Sequence, residues 1–255
     1  MAAQIPISVV IIAKNEEGHI AGCIESALWA GEVLVVDDFS ADSTVAVAKR
    51  LGARVLQRRM DIEGTHRNWA YAHSSFDWVF SLDADERITD ELRQDLEKTI
   101  SREIEHKGYT VPIKTYIGDY WIRYGGWYPG RKLRFFDKNF FQYEEVEVHP
   151  RALLRGSCGH LDGDVIHYSY RGIADFVTSL NAQTTLEARK WVKDKRTIGV
   201  FSCLRKTCDR FLRTYIAKRG YKDGFVGFIV AVFGGLYQLL SYAKYRELFK
   251  DTDTQ

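Results

Sequence analysis

The chain opens on an apolar run, Ile7-Ser8-Val9-Val10-Ile11-Ile12-Ala13, rich in β-branched residues and almost without polar alternation. That pattern predicts a parallel strand buried on both faces. Helical spacing follows over residues 17–30, with Ile20, Cys23, Ile24, Ala27 and Leu28 recurring on one side. Val33-Leu34-Val35-Val36 predicts a second buried strand, then a helix over residues 42–51 with Ser40 or Asp42 as its cap. Arg54-Val55-Leu56 predicts a short third strand, residues 65–73 a helix, and Trp78-Val79-Phe80-Ser81-Leu82 a fourth strand. Thr89 is the cap of a further helix reaching residue 105. Strand and helix alternate four times, so the fold class is α/β, a mostly parallel sheet with helices on both faces.

Ligands of such sheets bind beyond the carboxyl ends of the strands. Three predicted strands end there in polar clusters: Lys14-Asn15-Glu16, Asp37-Asp38 and Asp83-Ala84-Asp85. The last places two carboxylates one residue apart at a strand tip. Hard divalent cations take oxygen ligands and often share them with substrate phosphates. The substrate suited to that pairing is a sugar nucleotide, whose diphosphate leaving group needs charge neutralisation.

The second half reads differently. Residues 109–120, 132–136, 146–149 and 165–170 predict strands, interrupted by the aromatic, Gly-rich segment Tyr124-Gly125-Gly126-Trp127-Tyr128-Pro129-Gly130, and helices resume near Ile173. Residues 224–243 carry no formal charge, which is long enough for a membrane span. Four glycines and Gln238 weaken a span. A buried core helix and a hairpin lying in a headgroup layer are the other readings, and the charge pattern favours the last. From Arg189 to Lys222 there are twelve Lys or Arg against two Asp, a local excess that asks for an anionic membrane surface.

Composition narrows the function classes. The 255 residues carry 36 Lys and Arg against 34 Asp and Glu, a net charge of +2, too small for nucleic-acid binding by the whole chain. Cys23, Cys158, Cys203 and Cys208 show neither metal-site spacing nor a disulfide framework, which points to a reducing compartment. No N-terminal signal is visible, because the first apolar run is short and strand-like.

The ordered strings Val10-Ile11-Ile12-Ala13-Lys14-Asn15-Glu16-Glu17, Val35-Val36-Asp37-Asp38-Phe39-Ser40, Arg67-Asn68 and Leu82-Asp83-Ala84-Asp85-Glu86 resemble the inverting family 2 glycosyltransferases. Gly125-Gly126-Trp127-Tyr128-Pro129, Lys132-Leu133-Arg134-Phe135-Phe136, Val148-His149 and the tail from Asp223 to Leu248 are similar to the branch of bacterial lipopolysaccharide-core β-1,4-glucosyltransferases. The resemblance implies a GT-A, Rossmann-like catalytic domain over residues 1–170. A nucleotide-sugar half would occupy 1–107 and an acceptor half 108–170, with a helical, membrane-associating extension over 171–255. It implies a nucleotide-sugar site made by Ala13, Lys14, Asn15, Glu16, Asp38, Ser40, Arg67, Asp83 and Arg134. It implies a divalent metal, manganese or magnesium, at Asp85, Asp83 and His149.

Trp127, Tyr128 and Arg131 are the acceptor residues by the same resemblance. Asp85 counts among the catalytic residues. The catalytic base is less direct: the branch reads Val-His-Glu where this chain has Val148-His149-Pro150, and proline accepts no proton. Glu144, Glu145 and Glu147 stand nearby, of which Glu147 and Glu145 share a face of a strand and are the candidates. His160 and His167 are expected to support the fold. The expected activity is transfer of a hexose, with inversion, from a UDP-sugar or another nucleotide-diphosphate sugar. The acceptor would be a cell-envelope glycolipid, at the inner face of the cytoplasmic membrane. The alternatives are transfer to polyprenyl phosphate, a nucleotidyltransferase, and a non-catalytic sugar-binding protein. Lys14-Asn15-Glu16-Glu17 lacks the Gly-rich phosphate loop expected of the second of these.

Overall fold

The computed structural model describes residues 4–102, 104–146 and 150–252. The opening run is β1 (Ile5–Ala13), followed by α1 (Ile20–Glu25), β2 (Ala30–Asp37), α2 (Thr44–Arg50), β3 (Arg54–Gln57), α3 (Glu63–Ala72) and β4 (Trp78–Asp83). Next come β5 (Glu86–Ile88), α4 (Asp90–Ile100), β6 (Gly108–Ile117), β7 (Tyr120–Trp121), β8 (Gly130–Asp137) and β9 (Phe141–Tyr143). The order closes with β10 (Ala152–Leu154), β11 (Cys158–His160), β12 (Val165–Tyr170), α5 (Ile173–Lys193), α6 (Val200–Leu212) and α7 (Gly224–Thr252). The chain divides into two compact units: residues up to Ile113 with Arg131–His167, and Lys114–Gly130 with Tyr168 onward.

In the first unit the main sheet runs β3-β2-β1-β4-β8-β6-β12-β5. β3, β2, β1 and β4 are mutually parallel, while β8 is antiparallel to β4 and β12 to β5. β1 explains why the sequence lacks alternation. Ile7, Val9, Ile11 and Ala13 enter a core with Ile20, Cys23 and Ile24 of α1 and Leu92 and Leu96 of α4. Val10 enters a second core on the other face, with Ala70 and Tyr71 of α3. Both faces are covered, so both alternate sets are apolar.

Element boundaries shift where local chemistry intervenes. The helix predicted over 17–30 is only α1, because residues 26–30 fold into tight turns with Ala27 N–H on Ile24 and Ala30 N–H on Ala27. Thr89 does cap α4, accepting the Leu92 N–H at 3.2 Å. Asp42 rather than Ser40 serves the start of α2, accepting from the Thr44 amide at 3.0 Å. The antiparallel strand β8 beside β4 makes the sheet mixed past its parallel half.

In the second unit α7 packs against α5 and α6. Ala188 and Trp191 of α5, Cys203 of α6 and Tyr242 and Tyr245 of α7 form one apolar cluster. Ile117, Ile122, Phe176 and Val230 form another, with Trp127 packed against it. α7 is long and apolar enough to cross a membrane. Nevertheless its residues 229–242 include none that is exposed. Lys244 is anchored to α5, donating to the Asn181 carbonyl at 2.6 Å and to the Thr184 and Thr185 hydroxyls at 2.8 Å.

Candidate active site

The parallel strands end level with one another. Ala13 pairs with Asp37 across β1 and β2, and Ile12 with Asp83 across β1 and β4. The tips of β2 and β4 therefore stand one strand apart on either side of β1, a separation of about 10 Å at the usual strand spacing. Asp38 and Asp83 accordingly share one edge of the sheet.

At the β1–β2 end, two loops are laced together. Asn15 and Phe39 both take the left-handed backbone conformation, at φ 54° and 49°. The Asn15 amide donates to Ser40 Oγ at 2.8 Å, and Asn15 Oδ1 accepts from the Ala41 amide at 2.8 Å. The Glu16 amide donates to Thr44 Oγ1 at 2.8 Å. Asp38 donates its amide to the Ala13 carbonyl at 2.9 Å, which turns the chain back over β1. Its carboxylate receives Lys14 Nζ at 2.6 Å and the Met60 amide at 3.1 Å. The Lys14 ammonium is the main reason this carboxyl sits below its ordinary range, against a smaller opposing effect of burial. Ala13, Lys14, Asn15, Glu16, Asp38 and Ser40 are thus brought together. Asp37 is fully buried and holds the loop itself, accepting from the Ser40 amide and from Gln57 Nε2.

At the β4 tip the chemistry is ionic. Asp83 Oδ1 accepts from Arg67 Nη2 of α3 at 2.8 Å, and Oδ2 from Arg134 Nη2 of β8 at 3.0 Å. Arg134 also reaches Glu86 Oε1 at 2.5 Å, and the Asp83 amide donates to Glu86 Oε2 at 3.0 Å. Burial opposes ionisation of Asp83, but the two guanidinium groups outweigh it and hold its carboxyl far below the usual range. Glu86 is fully buried, and burial raises its pKa despite Arg134. Burial and the neighbouring Arg134 lower the pKa of Lys132. Around this cluster lies a cavity of about 440 Å³ lined by Arg67, Asp83, Lys132, Arg134, Tyr143 and Pro150, among others. Among the described residues, Arg67 Nη1 and Arg134 Nε are buried without a hydrogen-bond partner. A buried charged donor left unmatched is costly, by about 1–3 kcal/mol or more, and favours an anionic acceptor.

The remaining candidates lie as follows. Asp85 accepts from or shares a proton with His167 Nε2 at 3.2 Å, a contact built by β12 pairing His167 with Glu86. Burial lowers the His167 pKa, but the Asp85 hydrogen bond and charge prevail and raise it. Arg131 is spent on the Leu161 carbonyl at 2.7 Å and Asp162 at 3.3 Å. Trp127 and Tyr128 belong to the second unit, where Trp127 packs on an apolar cluster and Tyr128 makes an edge contact with Trp121 at 5.2 Å. Glu145 is exposed, and Glu144 pairs with Arg151 at 2.5 Å. Glu147 and His149 lie outside the described residues.

For a divalent cation, the carboxylates of Asp85 and Asp83 are the oxygen donors at the strand tip among the described residues, and His149 lies outside them. Among the described residues no three His, Cys, Asp or Glu groups converge on one point. Asp83 has an arginine on each oxygen, which takes one lone pair of each and leaves the other able to face a cation. A cation sharing the oxygens of a bound diphosphate does not need a closed protein cage. Two members of the cluster, Glu86 and His167, carry no local sign of a place in the site, and His167 is expected from sequence only to support the fold. Glu86 directly follows the Asp-x-Asp triplet, and its fully buried position at β5 could be read from Ile88 beside it only once β5 was known. His167 meets Asp85 across 82 residues of chain through antiparallel pairing, for which no local signal exists.

Residues 8–151 match the family described as glycosyl transferase family 2. An uncharacterized glycosyltransferase of Rickettsia typhi is 30% identical over 256 residues, covering 95% of this chain and 87% of its own. The lipopolysaccharide core biosynthesis glycosyltransferase LpsC of Rhizobium meliloti is 26% identical over 251 residues, covering 96% and 93%. Among solved structures, S. aureus TarS superposes with a TM-score of 0.46 at 14% identity, covering 94% of this chain and 91% of that one. The chain belongs to glycosyl transferase family 2: it is a glycosyltransferase with the GT-A-like mixed, mostly parallel sheet described above.

Proposed function

We propose that this glycosyltransferase moves a hexose, with inversion, from a nucleotide-diphosphate sugar to a cell-envelope glycolipid of the lipopolysaccharide-core type. A UDP-sugar is the favoured donor. The acceptor class rests on the relative LpsC, named for lipopolysaccharide core biosynthesis, which matches nearly end to end. The observation that carries the donor reading is the arginine pair around Asp83, with buried N–H donors unmatched among the described residues beside a cavity at the strand tips.

In this reading the laced loops after β1 and β2 hold the nucleoside, with the Asp38 carboxylate as acceptor for a base N–H. Arg67, with Arg134 and Lys132 behind it, receives the diphosphate, where a planar guanidinium fork matches phosphate oxygens. An acceptor oxygen attacks the anomeric carbon, the bond to the diphosphate breaks, and the nucleoside diphosphate leaves on the arginine side. The acceptor proton passes to a carboxylate, for which Glu147 is proposed first and Glu145 second; Pro150, three residues on, lines the cavity. Asp85 would hold a divalent cation, manganese or magnesium, which supplies charge neutralisation to a departing diphosphate. Fixed cations aimed at that charge are the largest expected contribution to rate.

The enzyme works in this reading at the cytoplasmic side of an anionic membrane, where a glycolipid acceptor is presented. The test is release of nucleoside diphosphate from a panel of nucleotide sugars, with and without lipid-linked core oligosaccharide. Acceptor-dependent release from a UDP-hexose supports the proposal. Release that responds only to polyprenyl phosphate, or no release from any donor, refutes it.

A further inference from the structure

The second unit carries a surface that the sugar-nucleotide chemistry does not use. Val200, Leu204, Leu212 and Ile216 are exposed by 58, 49, 50 and 58%, with exposed Cys208 between them. They recur every four residues and so form one stripe along α6 and the π-helical turn at Arg213–Ala217 that continues it. Phe201 stands beside the stripe at 82% exposure. The first turns of α7 add Phe225 at 75% and Phe228 at 40%, the latter edge-on to Phe211 and Tyr215.

Packing does not explain these residues. The side of α6 that meets α7 is a different one: Cys203 is buried with its Sγ on the Gln238 carbonyl, and the Thr207 carbonyl lies 3.1 Å from where a Cβ on Gly235 would stand. The apolar arc of α6 is therefore wider than its seat on α7 requires. Large apolar side chains left in water along the length of a helix mark an interaction surface.

Charge selects the partner. Between Val200 and Lys222 there are seven Lys or Arg (205, 206, 210, 213, 218, 219, 222) against Asp209 alone, and all seven cations are exposed. Arg213 pairs with Asp209 at 2.5 Å, and Arg210 and Lys222 lie over the Tyr237 and Tyr124 rings at 5.2 and 5.4 Å; Arg205, Lys206, Lys218 and Arg219 stand at exposed positions. An amphipathic helix with Phe and Leu on one arc and Lys and Arg beside it is the pattern of an element lying in the plane of an anionic bilayer.

We propose that α6, its π-helical continuation and the first turns of α7 form a monotopic docking face for an anionic lipid surface, while the body of α7 is the buttress behind it and does not span. The inference rests on the membrane-side reading above and deepens it, moving the attachment from the body of the charge-free run to α6 and the first turns of α7. Residues 229–242 of that run pack on α5 and α6 and are buried or half-buried. The apolar stripe would sink to the level of the acyl chains, with the cations at headgroup phosphates.

The test is co-sedimentation of the full chain with vesicles of phosphatidylcholine alone or with roughly a third phosphatidylglycerol. Binding is expected only to the anionic vesicles, weakening as salt rises. Phe201→Ser with Leu204→Ser is expected to reduce the partition coefficient by roughly tenfold or more. Lys206→Gln with Lys218→Gln and Arg219→Gln should do the same with a flatter salt dependence. All five positions are exposed, so far-ultraviolet circular dichroism should be unchanged. Donor hydrolysis in solution should also be unchanged, which separates failure of this proposal from failure of the catalytic reading. Undiminished vesicle binding by the Phe201/Leu204 variant would overturn the proposal. So would retention of the protein in membranes through an alkaline carbonate wash, which indicates a span, or a concentration-dependent dimer abolished by the same variant, which indicates a second copy on this face.

Discussion

Arg134 is the residue on which the ionic cluster depends, and Arg134→Met is the most informative single change. Its guanidinium is almost wholly buried and bonds both Asp83, at 3.0 Å, and Glu86, at 2.5 Å. Methionine keeps the stem but leaves two carboxylates facing each other. Asp83 retains Arg67, whereas Glu86 keeps only the Asp83 amide. Removing one partner of a buried ion pair costs about 3–5 kcal/mol, and the surviving contacts place this case near 3 kcal/mol. Replacing Glu86 as well, in Arg134→Met/Glu86→Gln, removes the stranded charge, and its amide can still accept from Asp83. About 1–3 kcal/mol should return. Because burial already raises the Glu86 pKa, the ionised form is the destabilising one in the single variant. Its deficit is therefore largest above the folded pKa and shrinks as pH falls toward the unfolded value. Urea unfolding at several pH values reads both effects as shifts in midpoint at constant slope. A single variant within about 1 kcal/mol of the parent, or a double variant no better than the single, would refute the reasoning.

Other outcomes follow from the same geometry. Asp85→Ala should abolish turnover, by about a hundredfold or more, while the far-ultraviolet spectrum is kept; near-normal activity would remove the metal role. Gly64→Ala should lower stability by about 1–3 kcal/mol in thermal or urea unfolding, since its Cβ would fall 1.9 Å from the Glu144 carbonyl oxygen, and backbone must move. Burial opposes ionisation of Glu32, but the Ser75 amide, the Ser8 and Ser75 hydroxyls and Arg54 hold its pKa below the ordinary value. Its contribution is thus present above the unfolded pKa and lost as pH falls through the folded one. Glu32→Gln should flatten the loss of stability as pH falls below the ordinary glutamate range, and an unchanged acid profile would contradict the assignment.

The parallel half of the sheet was legible because its forces are local. β1 declares burial on both faces by carrying no polar alternation, and Thr89 declares a helix start by its hydroxyl. The strand-tip polar clusters were legible for the same reason, since parallel strands bring their ends level. What stayed hidden depends on distant pairing. His167 reads as an ordinary strand residue until β12 sets it against β5 and Asp85. Asp37 and Asp38 are adjacent and alike in sequence, yet one folds the loop and the other faces Lys14. The charge-free run at 224–243 has a composition that suits a membrane or a core equally. Its packing on α5 and α6 is a long-range contact that composition does not encode. Trp127 likewise has the composition of a sugar platform and the packing of a cluster residue.

If arginines at the strand tips receive the diphosphate of a sugar nucleotide, calorimetric titration of the full chain should separate UDP from uridine. UDP is expected to bind at least about tenfold more tightly than uridine, as two charge-assisted phosphate contacts require, and Arg67→Ala to close most of the gap. Equal affinity for the two ligands, or a gap that survives loss of Arg67, would contradict it.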